Sequence, residues 1–254
     1  MPVPPRHRPG FDEFRRLAEI APCVPVYRQL TADSLTPVSA FQKIARGGPA
    51  FLFESVIGGE KVGRYSFLGT EPYLRFEARR HRITVSAERL GGSLPGRPAE
   101  DHEVEDPLEA LRELIDRYRA VHLPGLPRFC GGAVGYAAYD AVRYVEHLPD
   151  APPDDRGLPD LAFNFYDRMV LFDHIRKTVL VVAHVFYCDR RPDLRDAYES
   201  ALAGIDELVA RLSAPGPDLP LADIDTTGPL TLQPRSNFHR DEYEAIVRRY
   251  PEFI

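Results

Sequence analysis

The sequence predicts an α+β fold of antiparallel β-sheets with flanking helices. Two observations lead there. Segments with strand character outnumber helical ones, and they come in runs instead of alternating one for one with helices, which disfavours a doubly wound sheet. Neighbouring strands are also separated by short polar turns, as at His174 to Lys177, and turns of that length join antiparallel pairs. With 254 residues the chain can bury a sizeable core, as one large domain or two modest ones.

The elements follow in order. Residues 1–10, rich in Pro and Arg, read as a loose arm. "FDEFRRLAEIA" sets Phe11, Phe14, Leu17 and Ala18 at helical spacing. "TPVSAFQKIARGG" is a second helix, with Thr36 as cap, Pro37 in the first turn and Gly47-Gly48 as its stop. A strand over 50–57 puts Phe51, Phe53 and Ser55 on one face and Leu52, Glu54 and Val56 on the other. "GRYSFLGTE", "YLRFEAR" and "RITVSAE" continue as antiparallel strands, and "LGGSLPGRPAED" is a loop by its glycines and prolines. "EDPLEALRELIDRYRAV" is a helix capped by Asp106, with Pro107 first and Glu109 in the capping-box place. Its apolar stripe is Leu108, Leu111, Leu114, Ile115 and Tyr118. "CGGAVGYAAYDAVRYVEHLP" reads as a tightly packed strand-to-helix junction, where Gly131, Gly132 and Gly135 admit a close neighbour and Arg143 pairs with Glu146. "MVLFDHIRKTVLVVAHVFY" is two strands, "LRDAYESALAGIDELVARL" a long amphipathic helix, and "SAPGPDLPLADIDTTGP" a linker. "RDEYEAIVRRYPEFI" is a short closing helix with Pro251 near its end.

Composition removes several classes of function. A net charge of −6 disfavours nucleic acid as a partner, because phosphate binding needs a basic surface. Cys23, Cys130 and Cys188 are scattered without C-x-x-C spacing, which fits a reducing compartment and offers no zinc framework. "MPVPPRHRPG" lacks the apolar stretch of a signal peptide and nothing downstream approaches a membrane span, so a cytoplasmic protein is expected. "GGEKVGRYS" lacks the Gly-Lys-Ser/Thr of a phosphate loop, and "GGAVG" is not G-x-G-x-x-G. No two histidines stand three or four apart. His81, His102, His122, His147, His174 and His184 therefore read as surface or strand polar residues.

Glu54 is the sharper case. An acid beside Leu52 and Val56 costs several kcal/mol if buried alone, so it must meet a cation or water. One reading is an internal ion pair with Arg64 or Arg143. The other is a polar ligand pocket, in which the Ser55 hydroxyl donates to a carboxylate or accepts from an ammonium.

Four blocks, in this order, carry a family resemblance: "FLFESVIGGEKVGRYSFLGTEP", "GGAVGYAAYDAVRYVEHLP", "PDLAFNFYDRMVLFDHIRKTVLVV" and "SNFHRDEYEAIVRR". From about Phe11 onward the chain resembles the N-terminal half of anthranilate synthase component I, a chorismate-using enzyme of tryptophan biosynthesis. The folate-branch sister that makes aminodeoxychorismate is similar, and a stand-alone tryptophan-binding module is the other alternative.

The resemblance implies that Ser55, Glu54 and Arg64 belong to an allosteric L-tryptophan site. Ser55 would meet the inhibitor's backbone, Glu54 would shape the pocket, Arg64 (or Lys61) would fill the basic position, and Phe51 or Phe53 would line the indole slot. It also implies a glutamine amidotransferase subunit as partner and Mg²⁺ as cofactor. The Mg²⁺ ligands, the catalytic residues and the Asn-Pro-x-Pro-Tyr stretch that closes the tryptophan site fall in the catalytic half, after Ile254. The chain is thus expected to be a truncated front part without activity of its own. Its divisions are 1–10 as arm, 11–190 as regulatory domain, 191–235 as helix and linker, and 236–254 as the start of the catalytic domain. Where the family has Leu-Leu-Glu-Ser the chain has Leu-Phe-Glu-Ser, and His239 stands for a capping Thr. With Pro251, that last departure makes the last few residues read as divergence or a frameshift, not as a working helix.

Overall fold

The structure, a computed structural model, describes residues 6–31, 33–54, 63–87, 100–186, 193–216, 222–223, 227–229, 232–233 and 235–253. The chain divides into two compact units, Met1–Pro217 and Asp218–Ile254.

The first unit is α+β, with two antiparallel sheets. In chain order its elements are α1 (Phe11–Ala18), β1 (Cys23–Thr31), α2 (Pro37–Ile44), β2 (Ala50–Phe53), β3 (Tyr65–Thr70), β4 (Leu74–Arg79), β5 (Arg82–Ala87) and β6 (Glu100–Glu103). Then come α3 (Pro107–Arg117), β7 (Gly132–Ala137), a 3-10 turn (Tyr139–Tyr144), β8 (Leu161–Tyr166), β9 (Arg168–Asp173), β10 (Thr178–Phe186) and α4 (Leu194–Ser213). Among the described residues the sheets run β1-β10-β9-β3-β2 and β6-β5-β4-β8-β7. Every strand pair in them is antiparallel.

Strand β10 explains why "TVLVVAHVF" is almost continuously apolar: it is buried on both faces. Val179, Val181, Ala183 and Val185 pack with Phe14, Ile44, Ile205 and Leu208 beneath α1, α2 and α4. The alternate residues Leu180 and Val182 face Met169, Leu171 and Leu123 on the other side. The second sheet has its own core, in which Phe76, Leu161 and Phe165 pack against Leu111 and Leu114 of α3. Each such buried side chain contributes about 1.5–3 kcal/mol. Salt bridges fasten α4 to the first sheet: Arg28 Nη1 donates to Asp206 at 2.6 Å, and Arg211 reaches Glu71, the residue after β3.

Several expectations change at the level of single contacts. The segment expected as a loose arm is held at its end, where Arg8 and Tyr27 exchange backbone bonds of 2.9 and 2.7 Å. Helix α2 stops at Ile44, because Ala45 is already extended, and Gly47 (φ +77°) serves the turn that follows. On α3 Asp106 caps alone, accepting from Leu108 N and Glu109 N, while the Glu109 carboxylate turns outward to Arg112. Arg143 pairs with Asp140 at 2.7 Å instead of Glu146, since the 3-10 turn ends at Tyr144 and puts Glu146 out of register. Ile115 is 45% exposed and so leaves the α3 stripe. His184 is a buried strand residue.

The long helix expected at the head of 191–235 packs against β10 and β1 within the first unit. In the second unit the expected closing helix forms as α5 (Arg240–Arg249), and the last residues leave it. His239 N donates to Glu242 Oε2 at 3.0 Å, so half of a capping box survives without Thr. Pro251 falls in the 3-10 turn Tyr250–Phe253 beyond it.

Candidate functional site

The candidate site lies at one end of the first sheet, where β2, β3 and the β9–β10 turn meet. Phe53, the last residue of β2, pairs with Phe67, and Tyr65 at the start of β3 pairs with Asp173 at the end of β9. Glu54 follows Phe53 directly and Arg64 precedes Tyr65 directly, so the β2–β3 register brings both to the same end of the sheet. Ser55, with Lys61, lies outside the described residues.

Arg64 is engaged by Asp173. Its Nε donates to Oδ1 at 3.3 Å and its Nη2 to Oδ2 at 2.8 Å, a two-bond fork that fixes both position and charge. Asp173 Oδ1 also accepts from Ile175 N and Arg176 N, at 3.1 and 3.0 Å, an Asx turn that shapes the hairpin. Burial would push the Asp173 carboxyl up, but the bonds from Arg64 and the two backbone N–H groups outweigh it and hold the group below its usual range. Beside this pair Ser66 Oγ and His174 Nε2 are 2.7 Å apart, and His174 N donates to Arg64 O at 2.9 Å. The Arg64 guanidinium also stands 4.8 Å from the Tyr65 ring centre.

Glu54 is exposed, so it carries none of the desolvation cost that made it conspicuous in the sequence. Among the described residues no ion pair joins it to Arg64 or Arg143, which pair with Asp173 and Asp140. The internal-pair reading of Glu54 is therefore corrected: β2 ends at Phe53 and the acid stands outside the ladder.

An aromatic layer adjoins the polar groups. Phe51, Phe53, Phe67 and Phe129 are linked by ring contacts of 5.0–6.4 Å, and Tyr65 meets Phe67 at 6.0 Å. Phe51 is buried and folds over Gly69, where a Cβ would come within 2.3 Å of its ring. Phe53 is 50% exposed and is the ring with surface to offer a ligand. A separate cleft of about 450 Å³, lined by Leu30, Leu35, Lys43, Val179 and Leu212 among others, lies between α2 and the end of α4 and touches none of these groups.

Sequence reasoning missed Asp173, His174 and Ser66. The available signal was the Asp in "FDHIRK", which reads simply as a turn former. Nothing local says that its carboxylate reaches a residue 109 positions earlier. Among the described residues no three His, Cys, Asp or Glu side chains gather to hold a metal, so no step is assigned to one. Nor is any helix among them long and apolar enough to cross a membrane.

Comparison with known proteins agrees with this architecture. The fold resembles the crystal structure of anthranilate synthase component I from Streptococcus pneumoniae TIGR4, with a TM-score of 0.54 at 22% identity, covering 89% of this chain and 44% of that one. Anthranilate synthase component 1 of Pseudomonas putida is 36% identical over 248 residues, which is 96% of this chain and 48% of that protein. The Acetivibrio thermocellus protein of the same name is 37% identical over 178 residues, 70% of this chain and 34% of that protein. The chain thus spans a third to a half of these relatives' length. The sequence profile described as chorismate binding enzyme matches residues 58–254, most of the chain, and on that match the chain belongs to the chorismate binding enzyme family.

Proposed function

We propose that the chain forms the regulatory part of an anthranilate synthase component I. The whole enzyme would convert chorismate and ammonia, or glutamine through an amidotransferase subunit, to anthranilate and pyruvate in tryptophan biosynthesis. The observation that carries this reading is the 36% identity to such an enzyme over 96% of the chain. Mg²⁺ and its ligands belong to the remainder of that enzyme, and the compartment is the cytoplasm.

The part assigned to this chain is feedback binding of L-tryptophan at the β2–β3 corner. A zwitterion needs hydrogen-bonding and charged groups at one end and an apolar slot at the other. Glu54, Ser55 and Arg64 supply the first, and the half-exposed Phe53, cross-strand partner of Phe67 and in ring contact with Phe51, supports the second. Because the chain spans under half of the Pseudomonas putida relative, we expect weak binding and no turnover by the chain alone.

Two measurements test this. Purified chain with chorismate, Mg²⁺ and ammonium should give no anthranilate fluorescence above background, and product formation would overturn the assignment of catalysis elsewhere. Millimolar L-tryptophan, but not D-tryptophan, should raise the melting temperature. At a hundred times Kd the stabilisation is about 2.7 kcal/mol. Equal shifts from both enantiomers would remove the site.

A further inference from the structure

We infer that the cleft between α2 and the end of α4 is a separate ligand site, which takes a short aliphatic carboxylate. It lies apart from the β2–β3 corner, and nothing in it rests on the tryptophan reading. Its volume of about 450 Å³ falls in the range of small-molecule pockets. Leu30 and Val179, cross-strand partners at one end of the first sheet, form its floor, and Leu35, Val209 and Leu212 add apolar walls. Thr31, Ser34, Ser39 and Ser213 bring hydroxyls. Among the described residues that line it, Lys43 carries the one charge, and there is no aromatic ring.

The Lys43 ammonium is held in place but not used up. Nζ donates to Leu212 O at 3.0 Å, and Gly216 crosses the stem so closely that a Cβ there would come within 2.9 Å of Cε. An ammonium has three N–H donors, so two remain. Among the described residues no carboxylate forms an ion pair with Lys43; Glu207 of α4 is met by Arg46, Arg168 and Arg211. Helix C-termini disfavour anions, and α2 and α4 both end beside Lys43. Each end, however, is answered by a bond from the other helix: Lys43 donates to Leu212 O, and Arg211 Nη2, itself paired with Glu71, donates to Ile44 O. The charge left over is that of Lys43. A carboxylate there gains charge-assisted bonds, the hydroxyls serve its outer oxygen, and an alkyl tail covers the aliphatic floor. With no ring to stack on, an indole matches the lining less well.

The test uses hexanoate, hexanamide and hexylammonium, which share a tail and differ in the head group. In saturation-transfer NMR on the full chain, hexanoate should bind about tenfold more tightly than hexanamide, with hexylammonium weakest because it meets a like charge. Lys43→Met keeps the stem and removes the charge, so it should erase the advantage of hexanoate. Val209→Phe fills the cleft and should weaken hexanoate and hexanamide alike. Asp218, two positions after Gly216 and outside the described residues, is the rival partner for Lys43. Asp218→Asn should leave hexanoate binding unchanged, and tighter binding would overturn the inference by showing Lys43 already paired. Thermal melting identifies which variants are folded, and the comparison of the three ligands on wild type needs none of them. Excess L-tryptophan should leave hexanoate bound, and displacement would overturn a separate site. Wild type that ignores hexanoate or binds all three ligands alike, or a folded Lys43→Met with an unchanged ratio, overturns the inference as well. Failure of L-tryptophan to bind would count against the feedback reading alone.

Discussion

His184 shows how far a single residue can depart from its type. It lies on β10 at 6% exposure, with Nδ1 3.3 Å from Asp167 O and Nε2 3.9 Å from the Cys130 sulfur. Burial holds its imidazole below the ordinary histidine range, outweighing the raising effect of Asp167. The folded state therefore binds fewer protons than the unfolded one. Its stabilising effect is full above the unfolded value of about 6.5 and is lost as pH falls toward the lower folded value. Urea midpoints should drop between pH 8 and pH 5.5 in wild type and stay level in His184→Gln, whereas parallel curves would refute the role. The ring also explains Gly131, where a Cβ would fall 2.2 Å from His184 Cε1. Gly135 is tighter still, since its Cβ would meet the Ala162 backbone oxygen at 1.9 Å. Gly135→Ala should cost about 3 kcal/mol, at the top of the range for overpacking, and Gly131→Ala about 1–3, because a side chain yields where backbone does not. Equal denaturation midpoints for the two variants would contradict that ordering.

Elements are set mostly by local chemistry. Asp106 satisfies two of the free N–H groups at the start of α3, and Thr36 with Ser39 closes a reciprocal box at α2. Asp106→Ala should lower stability by about 1 kcal/mol, measurable as a shift in urea midpoint with the slope unchanged. An unshifted midpoint would mean that α3 is held by Leu111 and Leu114 alone. The β9–β10 hairpin behaves similarly, with Lys177 at φ +53° completing a turn that Asp173 begins. The same Asp then serves tertiary structure through Arg64, so Asp173→Asn should lower the urea midpoint by more than Asp106→Ala does, because the fork to Arg64 is lost along with the turn.

For the first unit as a whole, the exposed apolar surface is the conspicuous property. Tyr136 is 44% exposed, Tyr139 89%, Val145 73% and Leu158 60%, and β7 is an edge strand whose sequence, GAVGYA, carries no charge. Uncharged edge strands and exposed large apolar side chains invite association. We expect the chain to self-associate at micromolar concentrations in sedimentation velocity, and Tyr136→Lys to reduce it. A monodisperse wild-type monomer would show that this surface is adequately solvated.

The sequence by itself determined most of the elements and the family, though it did not mark β1 or β8 and read the start of β6 as loop. Period-two runs, helical stripes, Asp106-Pro107 and Thr36-Pro37 are short-range signals, legible because they depend on neighbours a few residues away. It also determined that Gly131 and Gly135 admit a close neighbour, though not that one neighbour is an imidazole and the other a carbonyl. Of the candidate site it marked Glu54, Ser55 and Arg64 but mistook where the charges pair. Tertiary structure alone decided that Arg64 meets Asp173 and not Glu54, and that His184 is buried. Both outcomes depend on which strands become neighbours. Strand order is set by packing across the whole core, and no window of the sequence contains it.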